Sequence, residues 1–283
     1  MQSYVTTATQ PKGQTMYLSR RTAINAGLLF FVAPLAHTAN AQIATAVAIN
    51  RAARFRALSQ RCAKAYCQLQ QEVMPDSARD VMASAQRLMQ VGFEDIGKAG
   101  LTGESTKHLN GLIADVGALN TLLASAPTKD GIVAVSVQAD KTLDNANKLT
   151  LALEASSGPN QSSARLINLA GRQRMLSQRL AKNYFLAAAG VESKLSKEQL
   201  VSDRADFKQA LVTLNAAPIS TTGTRNELQL AQSQWTFFEA ALNRKPDMES
   251  MRSVATTSER LLEVNNNLTV FYEAALKELL GST

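Results

Sequence analysis

The chain has 283 residues, 30 Lys and Arg against 23 Asp and Glu, a net charge of +7 and 45% apolar residues. That length suits one or two compact domains with substantial cores. The excess of positive charge is mild, and shrinks further once the N-terminal segment is set aside, so nucleic acid is not an expected partner.

The first 41 residues read as a secretory signal. Lys12, Arg20 and Arg21 form a positive start, "AINAGLLFFVAPLA" a short apolar core, and "ANA" at 39–41 a small-residue cleavage site. "SRRTAIN" carries paired arginines in the manner of twin-arginine export signals, while Ala23 after the pair leaves the general secretion route equally open. Removing this segment, with its three basic and no acidic residues, leaves 242 residues and a charge of +4. No later stretch approaches twenty uninterrupted apolar residues, so the exported protein is expected in the periplasm without a membrane anchor.

Beyond residue 42 proline and glycine are scarce and apolar residues recur at spacings of 3 and 4, which predicts an all-helical chain. "MPDS" at 74–77, "GKAGLTGES" at 97–105 and "SAPTKDG" at 125–131 divide the first four helices, and "SSGPNQSS" at 156–163 closes that set. "AAGVESKLS", "AAPISTTG" and "NRKPDM" divide four more. "INRAARFRALSQRCAKAY" at 49–66 and "INLAGRQRMLSQRLAKNY" at 167–184 share twelve of eighteen positions at an offset of 118. "KTLDNANKLT" at 141–150 matches "RLLEVNNNLT" at 260–269 at an offset of 119. A period this long exceeds a solenoid unit. It predicts two tandem antiparallel four-helix bundles, residues 42–157 and 158–283, packed as a pseudo-twofold pair.

On a helical wheel the stretch 167–185 has three faces. Leu169, Leu176 and Leu180, with Gln173, form the seam of their own bundle. Asn168, Arg172, Met175, Arg179 and Lys182 form a second face, expected to reach solvent or neighbouring carboxylates. The third holds Ile167, Ala170, Gly171, Ser177, Gln178 and Ala181 around Arg174, and Ala52, Ala53, Ser59, Gln60 and Ala63 surround Arg56 in the first copy. Small residues admit a close helix, and a guanidinium among them is desolvated and needs an acceptor. Two acceptors fit: an Asp or Glu of a facing helix, or a small oxyanion held between Arg56 and Arg174 across the pseudo-twofold axis.

"INLAGRQRMLSQRLAK" resembles the signature of the PilJ-type sensor domain, the N-terminal ligand-binding module of type IV pilus chemotaxis transducers and nitrate/nitrite sensor kinases, with 49–66 a more degenerate copy. The resemblance implies that one arginine from each of two first helices holds the anion, positions matched here by Arg56 and Arg174. It further implies that Gly171 allows the close approach, where the first copy has Ala53. Arg51 matches the basic residue two positions before that glycine, where the second copy has Leu169. The implied ligand is nitrate or nitrite, and a membrane receptor or transporter is the implied partner, because the chain carries no signalling region of its own. A helical protein-interaction module with no small ligand remains the alternative.

Enzyme chemistry, a cofactor and a metal site are not expected. His108 is the only histidine beyond the signal, no metal-ligand spacing occurs, and "GLTGES" lacks the lysine of a phosphate loop. Cys62 and Cys67 diverge by about 140° on one helix and cannot bridge within it. They are expected to pack in the core, with a link to another chain as the other reading. Trp235, Phe237 and Phe238 are expected to anchor the second bundle.

Overall fold

The computed structural model describes the backbone of residues 23–157 and 161–281 and the side chains of 46–157 and 161–278. Lys12, Arg20 and Arg21 of the expected signal lie outside the described residues. The chain divides into two compact units, Met1–Asn40 and Ala41–Thr283. Within the first, the described residues are helical from Ala23.

The described chain is all helical, without strands: α1 (Ala23–Gln70), α2 (Pro75–Gly97), α3 (Gly103–Leu123), α4 (Lys129–Ala155), α5 (Gln161–Ala188), α6 (Lys194–Asn215), α7 (Thr222–Leu242) and α8 (Met248–Gly281). Every break falls in or beside a predicted punctuation segment, and local chemistry explains why. Pro75 opens α2 after Met74, which adopts a left-handed φ of 49°. Thr128 caps α4 by accepting from Gly131 N at 2.9 Å. Gly190, with φ +70°, ends α5 and lets Val191 N reach back to the Leu186 carbonyl. Ser193 and Ser196 close a reciprocal capping box at the start of α6.

Contacts within Ala41–Thr283 repeat between the halves. α3 packs on α4 as α7 packs on α8, and α5 packs on α6 and α8. α1 meets α2 through Phe55 and Phe93, 4.5 Å between ring centroids, and reaches α4 through Arg56 and Asn147. A single apolar cluster joins both halves, from Ile49 and Phe55 to Leu268 and Tyr272.

Two expectations need correction. Phe237 is 63% exposed, while Trp235 and Phe238 are buried. Phe237 lies about 200° around the helix from Trp235, so it faces solvent when Trp235 faces the core. Trp235 instead stacks on Phe207, centroids 4.2 Å apart. The face of α5 expected to be solvated is only partly so: Arg172 is exposed, but Met175 is 3% and Lys182 0% accessible, because α4 also packs against α5. Cys62 and Cys67 are free, fully buried thiols, pushed up to about 12 by burial, which favours packing over a link to another chain.

Candidate functional site between alpha1 and alpha5

α1 and α5 come close where both carry small residues. A Cβ on Gly171 would stand 3.2 Å from the Ala53 Cβ, tighter than ordinary packing, so the absence of a side chain sets the spacing here. Ala52, Ala53, Ala63, Ala170 and Ala181 are fully buried around this crossing. Polar residues run along it in matched pairs: Ser59 and Ser177, Gln60 and Gln178, Lys64 and Lys182, all at 0% exposure.

Arg56 and Arg174 sit at the crossing, each 2% exposed. The Gly171 Cβ position is 3.0 Å from Arg174 Nη2 and 3.7 Å from Arg56 Nη2, so these two nitrogens are at most about 6.7 Å apart. The two guanidinium groups therefore lie near one another at the crossing.

Their hydrogen bonds mirror each other. Arg56 Nη2 donates to the side chain and carbonyl of Asn168, at 2.8 and 3.3 Å, and Nη1 donates to Asn147 Oδ1 at 2.9 Å. Arg174 Nη2 donates to the side chain and carbonyl of Asn50, at 2.9 and 3.4 Å, and Nη1 to Asn266 Oδ1 at 3.4 Å. Each Nε donates to a carbonyl one turn back, Ala53 O or Gly171 O. Every acceptor is a neutral amide oxygen. The nearest carboxylates stand one residue further out: Asn168 Nδ2 donates to Glu154 Oε2 and Asn50 Nδ2 to Glu273 Oε2, both at 2.6 Å. Each of these is shared with another cation, Glu154 with Arg165 and Glu273 with Lys277. The direct Asp or Glu partner weighed from sequence is therefore replaced by an asparagine relay.

Burial pulls Arg56 down to about 9; the nearby Arg172 charge adds to this and Glu154 opposes it. Burial likewise pulls Arg174 down to about 9, helped by Arg54, Arg56 and Arg51 and opposed by Glu273. Both remain cations at neutral pH, so two desolvated positive charges share one small space.

Arg51 does not join this constellation by contact. Its Nε lies 3.1 Å from Asp95 Oδ2 of α2, so it contributes only a distant like charge to Arg174. The residues that touch the pair and were not assigned to the site from sequence are Asn50, Asn147 and Asn266, with Asn168, which was placed on the face of α5 expected to be solvated. Their signal was present: each pair is an asparagine repeated at the offset of the duplication. Among the described residues no three His, Cys, Asp or Glu side chains gather as a metal site, and no helix is long and apolar enough to cross a membrane.

This is the architecture of a helical module with a charged site buried at a helix crossing. Residues 157–261 match the family model PilJ, described as "Type IV pili methyl-accepting chemotaxis transducer N-term". That segment, 105 of the 283 residues, is similar to the N-terminal module of such transducers. The matched segment contains Arg174 and Gly171 and leaves Arg56 outside it. No curated protein matches the chain, and no solved structure matches it.

Proposed function

We propose that the protein is an exported, non-enzymatic binding or sensor protein that holds a small oxyanion, nitrate or nitrite, between Arg56 and Arg174. The observation that carries this reading is the pair of buried guanidinium groups with Nη2 atoms within about 6.7 Å and only neutral acceptors at contact distance. Like charges in a desolvated space repel, and a planar anion between them takes hydrogen bonds from both forks. Asn50 and Asn168 would yield their places on the facing Nη2 atoms to the anion, and Gly171 keeps the helices close enough for one ion to touch both. A periplasmic location, reached by a twin-arginine or general secretion route, and a membrane receptor or transporter as partner complete the reading.

A second reading also has its own observation. Each guanidinium already makes four hydrogen bonds within the protein, which suits a helical interaction module of a chemotaxis or pilus receptor system with no small ligand.

Thermal unfolding of the full chain separates the two. An anion at a hundred times its Kd stabilises by about 2.7 kcal/mol, a rise in Tm of roughly 5–11 °C for a chain of this size. Nitrate and nitrite should raise Tm above the effect of equal chloride, and the Arg56→Ala/Arg174→Ala double variant should lose that rise. A double variant that responds like the parent would place the site elsewhere. No response to nitrate, nitrite, sulfate or phosphate would leave the interaction module.

A further inference from the structure

The two halves treat their corresponding basic residues differently, and the difference lies beside a groove. In the second half Arg179 pairs with Asp203 of α6, Nε to Oδ2 at 2.7 Å, while Lys182 pairs with Asp140 of α4 at 2.6 Å. Two cations thus meet two carboxylates. The corresponding pair in the first half is Arg61 and Lys64, and both turn to a single carboxylate, Glu259 of α8. The reason is in α2. An offset of 118 aligns the buried positions Ala78, Met89 and Ile96 of α2 with Ser196, Phe207 and Leu214 of α6, and it sets Ala85 where α6 has Asp203. The same offset sets Leu88 against Asp206, the partner of Arg172, and Arg54 makes no ion pair among the described residues. At these positions the first half lacks the carboxylates of the second and keeps the basic residues, although Arg51 does meet a carboxylate of α2, Asp95.

Arg61 lines a groove of about 440 Å³ between α1, α2 and α8. Its Nε and Nη2 donate to Glu259, and its Nη1 makes no hydrogen bond among the described residues. Arg260 and Glu263 line the same groove, both exposed and without an ion pair among the described residues, so the cationic excess comes from Arg61 and Lys64 sharing Glu259. Met74, Val81, Ala255 and Leu262 supply apolar wall, and the volume falls within the usual range of small-molecule sites, about 300–1,000 Å³. Lys64 is fully buried and Arg61 only 14% exposed, so the charge left over once Glu259 is shared is poorly screened.

We propose that this groove is a second binding site, for a small carboxylic acid with an apolar body, whose carboxylate gives Arg61 the kind of partner that Asp203 gives Arg179. The ligand carboxylate accepts from Arg61 Nη1 with Arg260 at the rim, and its body lies on Met74, Val81 and Leu262. The site is distinct from the Arg56–Arg174 crossing and does not depend on what that crossing binds.

The test is calorimetric titration of the full chain with butyrate and phenylacetate, against the corresponding neutral alcohols and with equal chloride. The carboxylates should bind saturably and the alcohols at least tenfold more weakly. Ala85→Asp restores the internal carboxylate for Arg61 and should weaken both carboxylates at least tenfold, while any nitrate response is retained. Arg260→Ser, on the exposed rim, should weaken them several-fold without changing Tm. Absence of saturable binding up to tens of millimolar overturns the proposal. So does unchanged affinity in Arg260→Ser, or in a folded Ala85→Asp. Loss of nitrate response with carboxylate binding intact would bear on the crossing alone.

Discussion

Glu259→Gln should be among the more damaging single substitutions on α8, because one carboxylate serves two cations from α1. Burial raises the Glu259 carboxyl, but Lys64 and Arg61 outweigh it and hold the group at about 2, against 4.5 in a free side chain. At about 1.4 kcal/mol per pH unit this corresponds to roughly 3 kcal/mol, and partial solvent contact of the carboxylate trims it to about 2–3 kcal/mol. Because the folded value is depressed, that stability is fully present above pH 4.5 and is lost as pH falls through about 2. Urea unfolding at pH 7 should show the variant about 2–3 kcal/mol less stable, in line with leaving a buried ammonium unpaired. The gap to the parent should close as pH approaches 2. Asp140→Asn removes the equivalent carboxylate from Lys182 but leaves Arg179 with Asp203, so its cost should be smaller. A loss below about 1 kcal/mol at pH 7, a gap that persists at pH 2, or a larger effect of Asp140→Asn would refute the shared-carboxylate argument.

Gly171→Leu should destabilise the fold by about 1–3 kcal/mol through overpacking and weaken nitrate at least tenfold, since even a Cβ there meets Ala53 at 3.2 Å. Gly117→Ala, where a Cβ meets nothing within 4 Å on an exposed helix face, should gain about 0.5–1 kcal/mol and serves as the control. Nitrate-induced stabilisation should hold through neutral pH and fade as pH rises past about 9, when Arg56 and Arg174 begin to lose their protons. Without anion the sign is reversed: the unfolded chain keeps these protons up to the ordinary arginine range. The contribution of the pair to stability therefore improves with rising pH across that window.

Helix content, the positions of the breaks and the internal repeat were legible in the sequence because each depends on local rules. Apolar spacing sets the buried face, and Pro75, Thr128, Gly190 and Ser193 end or start helices through their own backbone chemistry. The equivalence of Arg56 and Arg174 was legible too, since they hold one position in two copies of a motif. What the sequence could not assign was the partner of each charge. Asn50, Asn168, Asn147 and Asn266 meet the arginines from helices up to 124 residues away, and Glu259 reaches back 198 residues to Arg61. Such pairings depend on how helices cross and turn, which a wheel drawn for one helix does not contain. The same reason buried Lys182 against expectation. Tertiary packing also decided what a difference between the halves means: Ala85 is an unremarkable alanine in the sequence, and the Arg179–Asp203 pair at the matching positions marks it as the place of a missing carboxylate.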